Sequence, residues 1–277
     1  MPNAKSLSRP LRQDLDGEAQ GGRDFVRALA KGLAVIEAFD AQAPAMTLSE
    51  VARRVNLSRG TARRLLLTLV DLGYGAFDGK RFSLNPRVLR LGFAYLSSRN
   101  LWQLAQPLMA ALVEKVHESC SIAVLDGMEI VYVARVPTAA RIMSINLGLG
   151  TRLPAFATSM GRVLLAGLPG EQLDEALKSA PVLTAYTAKT IHDKAALLKE
   201  LEAVRKQGWA LVDQELEIGL RSIAAGITDA NGRVIAALNI GTHASRWPMQ
   251  KLLQEVLPAL KGTATAISAL AARGPST

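Results

Sequence analysis

The sequence predicts an α+β chain: an N-terminal winged helix-turn-helix joined by a linker helix to a larger domain of mixed strands and helices. Three observations predict it. Positive charge is concentrated in the front third. There, a capping motif, a short turn, an arginine-rich helix and a basic hairpin follow one another in order. Downstream, β-prone runs and amphipathic helical stretches succeed each other with no repeat period. The 277 residues suffice for two ordinary domains, and 49% hydrophobic content gives each a core.

Residues 1–100 hold 16 Lys and Arg against 9 Asp and Glu, whereas the remaining 177 hold 17 against 15. A basic domain attached to a near-neutral one suggests a polyanionic partner for the first alone, although basic proteins without acidic partners are common. No apolar run approaches the roughly 20 residues that span a bilayer, and the polar start lacks a signal-peptide core, so a cytoplasmic protein is expected. The single cysteine, Cys120, excludes an intrachain disulfide and a thiolate zinc cluster, and reads as a small buried thiol.

Residues 1–22 read as a flexible tail ending in Gly21-Gly22. In RDFVRALAKGLAVIEAFD, Leu29, Leu33 and Ile36 recur at helical spacing and predict one buried face, with Ala43-Pro44-Ala45 as the break. Thr47 followed by Glu50 is a capping box that starts a second helix with Leu48, Val51, Ala52 and Val55 on its apolar side. After Asn56-Leu57, Ser58 caps a third helix to about Asp71, with Ala62, Leu65, Leu66 and Leu69 inward and Gly73 as the stop. Asp78-Gly79 between short β-prone runs marks a hairpin. Asn85-Pro86 opens the connecting helix, which runs to Ser98.

A helix is expected from Leu101 to Glu118. Strands flank Asp126-Gly127, and IMSIN forms a third. Helices cover Ser159–Leu168, Glu171–Ser179 and His192–Gln207. Strands follow at WALVD, SIAAGIT and VIAALNIG, with a turn at Asn231-Gly232, and Pro248 opens a last helix. Antiparallel pairing with helices against the sheet is the simplest assembly.

In a helix-turn-helix the second helix enters the major groove with its N-terminal residues on base edges. Here its polar side carries Ser58, Arg59, Gly60, Thr61, Arg63, Arg64 and Thr68. The span from Glu50 to Asp71 holds five arginines and no acid between them. Arginine reads guanine bidentately or clamps phosphate, and the sequence does not divide the two roles. Leu67 projects among them and reads better as packing than as a thymine contact. Lys80 and Arg81 at the hairpin tip would form the wing, or else a charged, solvated turn.

These residues resemble the IclR family of transcriptional regulators, and its PcaR/PcaU/PobR-like branch in particular. RDFVRALAKGLAVIEAF, LSEVARRVNLSRGTARRLLLTL, LWQLAQPLMAALVEKVHES, VLDGMEIVYVARV, TRLPAFATSMGRVLLAGLP and WALVDQELEIGLRSIA carry the likeness, which covers nearly everything from Arg23 on. The resemblance implies a winged-helix domain over 23–85, a linker helix over 86–100 and a GAF-like effector domain over 101–273. It implies a homodimer or dimer of dimers on double-stranded operator DNA, with RNA polymerase as a further partner. The genes controlled would serve aromatic-acid (β-ketoadipate) catabolism, usually by activation. The effector would be a small organic acid such as protocatechuate, 4-hydroxybenzoate or β-ketoadipate. A repressor of another catabolic operon is the alternative.

Carried over residue by residue, the effector site falls on Ile145, Leu153, Ser159, Met160, Gly161, Asp213, Ser222 and Asn239. Ser159, Met160 and Gly161 lie at a predicted helix N-terminus, whose amides and dipole suit a carboxylate. Ser222 and Asn239 would orient hydroxyl or keto groups, and Ile145 and Leu153 would enclose the ligand body. Asp213 reads equally as a turn cap. Arg135, Arg141, Arg152 and Arg221 could add positive charge. The chain departs from the branch at Gly60, where alanine is common, at AAGITDANG, which replaces an AVPV-type strand, and at Gly241, where a serine is usual.

An enzyme is the competing class, and the residues offer it little. His117, His192 and His243 have no partner at metal-ligand spacing, no nucleophile elbow or phosphate loop appears, and no catalytic residue, metal or cofactor is expected. Asp213, Glu215 and Glu217 suit a solvated strand end as well as acid–base work. A DNA-binding protein without an effector is the third possibility.

Overall fold

The computed structural model describes residues 25–97, 100–138, 147–180 and 182–273. They fall into two compact units that divide between Tyr95 and Leu96.

The first unit contains α1 (Arg27–Glu37), β1 (Ala45–Met46), α2 (Leu48–Arg54), α3 (Arg59–Asp71), β2 (Gly75–Phe77) and β3 (Phe82–Leu84). The capping box at Thr47 forms as expected. The Thr47 hydroxyl accepts from the Glu50 amide at 3.4 Å, and the Glu50 carboxylate accepts from the Thr47 amide at 2.7 Å. The bonds that the Glu50 carboxylate accepts from the Thr47 amide and hydroxyl hold it below its ordinary range. Thr47→Ala should therefore cost about 1 kcal/mol, read as a lower denaturation midpoint of this unit.

Ser58 caps α3 by accepting from the Thr61 amide at 3.2 Å. The core joins Val35, Val51, Leu57, Leu66 and Phe82. Leu67 packs against it, as expected of that leucine.

Two expectations for this unit are corrected. The helix α1 buries Ala34 and Val35, with Ala38 just beyond it, and Ile36 packs against the core as expected, while Leu29 and Leu33 are 63% and 43% exposed. The α1 helix packs on α3 through ordinary contacts, a Cβ on Gly32 standing 4.0 Å from Leu65 Cδ2. The Ala43–Ala45 break also feeds a strand, β1, which pairs with β3 and completes a sheet of order β1-β3-β2.

After a 3-10 turn at Pro86–Val88 comes α4 (Leu89–Ser97). The second unit contains α5 (Leu101–Val116), β4 (Ser119–Asp126), β5 (Glu129–Val136), β6 (Arg152–Pro154), α6 (Ser159–Ala166), α7 (Gly170–Ser179), α8 (Lys194–Gln207), β7 (Trp209–Asp213), β8 (Leu220–Thr228), β9 (Val234–His243), α9 (Met249–Lys251) and α10 (Leu257–Arg273). The six strands form one antiparallel sheet of order β6-β5-β4-β9-β8-β7. Side chains alternate across it. Cys120, Ile122, Ile223 and Leu238 meet α5 and α10 on one face. On the other lies α6, buried along its whole length and backed by α8.

His117 is not inside a helix, contrary to expectation. It closes α5 in the left-handed conformation at φ 54°. The expected IMSIN strand lies outside the described residues.

Candidate functional site

The arginine-bearing side of α3 faces outward. Ser58, Arg59, Gly60, Arg63, Arg64 and Thr68 are exposed and Thr61 is half-buried. Among the described residues, no salt bridge involves Arg59, Arg63 or Arg64, so their charge is uncompensated by the fold. A Cβ at Gly60 would have no neighbour within 4 Å, which leaves the start of this face open to backbone approach.

Beside it, the hairpin turn is tied by the Asp78 carboxylate. It accepts from the Lys80 and Arg81 amides at 2.8 and 2.7 Å, and Gly79 takes φ 96°. The strands below are locked by Phe77 and Phe82, stacked at 4.4 Å. Lys80 and Arg81 are thereby both exposed at the tip. The α3 face and the hairpin together make a winged helix that presents Arg59, Arg63 and Arg64 on its helix and Lys80 and Arg81, beside Asp78, on its wing.

The second unit encloses a cavity of about 500 Å³ between the sheet and the start of α6. Its floor follows from strand register. One row runs Arg135 on β5, Ser121 on β4, Asn239 on β9 and Ala224 on β8. The next row runs Ser119, Gly241, Ser222 and Val212 on β4, β9, β8 and β7. Period-two alternation points each row to one face. Over this floor lie Ser159 and Met160 of α6, with Leu153, Leu216 and Leu220 as apolar walls.

The polar chemistry is unfinished. Ser159 Oγ and Asn239 Oδ1 are buried with no hydrogen-bond partner. Buried polar atoms are rarely left so, and an unpaired one costs about 1–3 kcal/mol, which a bound polar ligand would relieve. Arg135 Nη1 donates to Ser121 Oγ at 3.2 Å, which holds a cation over the floor. Tyr132 also lines the cavity, and burial pushes its phenol up from the ordinary range.

Leu153, Ser159, Met160, Ser222 and Asn239 thus meet at one cavity. Two of the expected effector residues, Asp213 and Gly161, do not join them. Ile145 lies outside the described residues, as does Arg141. Asp213 does not line the cavity: Val212 faces it, so its neighbour on the strand points away. The Asp213 carboxylate accepts from Arg221 Nε at 2.8 Å and Lys189 Nζ at 3.1 Å. Burial opposes ionisation there, but these two cations prevail and hold the carboxyl below its ordinary range.

Gly161 is also corrected. Its amide already donates to Thr158 Oγ1 at 3.1 Å, and an added Cβ would stand 2.1 Å from the Ala155 carbonyl oxygen, so it serves the cap and packing of α6. Of the extra arginines among the described residues, only Arg135 lines the cavity. Arg152 pairs with Asp126 and Glu129, and Arg221 with Asp213. Of the three acids at the end of β7, Glu215 is not solvated: it is buried against Arg162 with Oε2 2.5 Å from Nη2. The residues not singled out from sequence are Ser119, Ser121 and Tyr132 on β4 and β5. Register with Arg135 was the available signal for Ser119 and Ser121, whereas Tyr132 has the opposite parity and reaches the cavity beside the irregularity at Ile122/Ala123.

Comparison with known proteins agrees with both halves. Residues 28–78 match the IclR helix-turn-helix domain, and residues 93–269 match the C-terminal region of bacterial IclR transcriptional regulators. The chain is 47% identical over 240 residues to the Pca regulon regulatory protein of Pseudomonas putida, covering 87% of this chain and 82% of that one. It is 41% identical over 245 residues to the p-hydroxybenzoate hydroxylase transcriptional activator of Acinetobacter baylyi, covering 87% and 90%. A solved inducer-binding domain of the PobR transcription factor from Acinetobacter, a double mutant in complex with 3-hydroxybenzoic acid, is 36% identical. It superposes with a TM-score of 0.56 over 61% of this chain and 98% of that one.

Proposed function

Because the chain belongs to the IclR family of bacterial transcriptional regulators, we propose that it activates genes of aromatic-acid catabolism in response to a small carboxylic acid. The α3 face and the wing take operator DNA, through Ser58, Arg59, Gly60, Thr61, Arg63, Arg64, Thr68, Lys80 and Arg81. The cavity takes the acid. Its carboxylate meets the α6 N-terminus at Ser159 and Met160 or the Arg135 guanidinium. Ser222 and Asn239 orient its oxygen substituents, and Leu153 encloses its body. The observation that carries this reading is the pair of buried, unpartnered polar atoms, Ser159 Oγ and Asn239 Oδ1, facing one cavity.

The names of two similar proteins, a Pca regulon regulator and a p-hydroxybenzoate hydroxylase activator, favour protocatechuate, 4-hydroxybenzoate or β-ketoadipate as the class of effector. The domain limits follow from the same reading: winged helix 23–85, linker 86–100, effector domain 101–273. The protein acts as a homodimer or dimer of dimers. Exposed Leu29 and Leu33 on α1 and Leu89 and Phe93 on α4 supply apolar surface for a second copy. Effector binding biases the arrangement of the sensing domains, and the linker helix passes this to the DNA-binding units and to RNA polymerase contact. It works in the cytoplasm and carries out no catalysis; no described helix is long and apolar enough to cross a membrane.

A thermal-shift screen with protocatechuate, 4-hydroxybenzoate and β-ketoadipate tests the reading. An acid at about 100 times its Kd should add about 2.7 kcal/mol of stability. The hit should then change the DNA footprint or transcription in a purified system. No shift with any acid, or a shift without effect on transcription, would refute it.

A further inference from the structure

We infer that Gly241 is a specificity-determining residue of the cavity, a notch in its floor that receives the oxygen substituent of a ring acid at the end remote from the carboxylate. This rests on the cavity being the effector site.

Glycine weakens a strand and persists there for few reasons: a left-handed φ, a bulge, a close neighbour, or close approach of a ligand. Gly241 is not among the residues with positive φ. Its pairing runs without a shift against Ser119–Ala123 on one side and Leu220–Ile227 on the other, so there is no bulge. Among the described residues, no heavy atom lies within 4 Å of where its Cβ would stand. Gly226 on the neighbouring strand is different: a Cβ there would touch Val163 and Val234 at 3.4 and 3.5 Å, so protein fills that space. Close approach of a ligand is the reason left for Gly241, which lines the cavity.

The surroundings say what the notch takes. Gly241 sits between Ser119 and Ser222, its register partners on either side, so two hydroxyls flank the missing side chain. Two residues back along β9, Asn239 Oδ1 awaits a donor. A phenolic hydroxyl both donates and accepts, and fits such a rim. Arg135 lies two strands away, roughly 10 Å at the backbone from strand spacing, so a ring acid anchored by its carboxylate at that side turns its far substituent toward Gly241.

The test uses the full chain and its Gly241→Ala and Gly241→Ser variants, with binding of 3,4-dihydroxybenzoate, 4-hydroxybenzoate and benzoate measured by calorimetry. Both variants should melt no lower than the original, since the added atoms meet no neighbour. Alanine should weaken the hydroxylated acids about tenfold or more while changing benzoate less than about threefold, so that the preference for the hydroxyl collapses. Equal loss for all three acids, or no loss for any, overturns the notch. An original protein that answers only to β-ketoadipate overturns the notch and keeps the effector reading. One that binds no acid at all overturns both.

Discussion

Replacing Arg162 by methionine is expected to destabilise the effector-domain unit by about 3–5 kcal/mol, the usual consequence of leaving a buried charge without its partner. Arg162 is 1% exposed. Its Nε donates to the Phe156 carbonyl at 2.9 Å, and its Nη2 donates to Glu215 Oε2 at 2.5 Å. Glu215 Oε2 also accepts from the Ile191 amide at 2.9 Å. With the guanidinium gone, a carboxylate would remain buried with a single amide donor. The double variant Arg162→Met, Glu215→Leu removes both charges and should lose markedly less than the single one. Chemical denaturation of the three proteins decides it. A single variant within about 1 kcal/mol of the original would show that the pair does not hold the unit. The pair ties the first turn of α6, which bears Ser159 and Met160, to the segment carrying Leu216. Weaker acid binding should accompany the loss of stability.

Much of this architecture was readable because local rules agree with the global fold. Thr47 and Glu50 name a helix start by chemistry that needs no partner elsewhere, and the Asp78-Gly79 turn is equally local. The antiparallel sheet was legible from runs bounded by Asp126-Gly127 and Asn231-Gly232. What escaped depends on contacts distant in sequence. On α1 the side chains buried are Ala34 and Val35, while the larger Leu29 and Leu33, which dominate a periodicity count, stay outside. The role of Gly161 is set by the backbone of Ala155, and that of Glu215 by an arginine 53 residues away. The placement of Asp213 is a parity error: once Val212 and Ser222 face the cavity, its own side chain cannot. The same parity argument, applied to β4 and β5, would have found Ser119, Ser121 and Arg135 together.

Arg63→Ala and Arg64→Ala should each weaken binding to a duplex carrying the footprinted operator by about 1–3 kcal/mol where the side chain reads a base edge. That is roughly five- to 150-fold in affinity. The structure makes this a clean experiment. Both side chains are exposed on α3 with no salt bridge among the described residues, so their removal should leave the melting temperature within error. They differ by one helical position, about 100° around the axis, so the two substitutions sample adjacent strips of the same face. Salt separates the two possible roles. A phosphate contact weakens all sequences alike and lowers the salt slope by about 1, whereas a base contact relaxes preference at one operator position. Acid binding in the effector cavity should survive either change, because the cavity is lined wholly from the second unit. Unchanged operator affinity in both variants would mean that DNA meets a different face of the winged helix. The uncompensated charge on α3 would then need another polyanion to explain it.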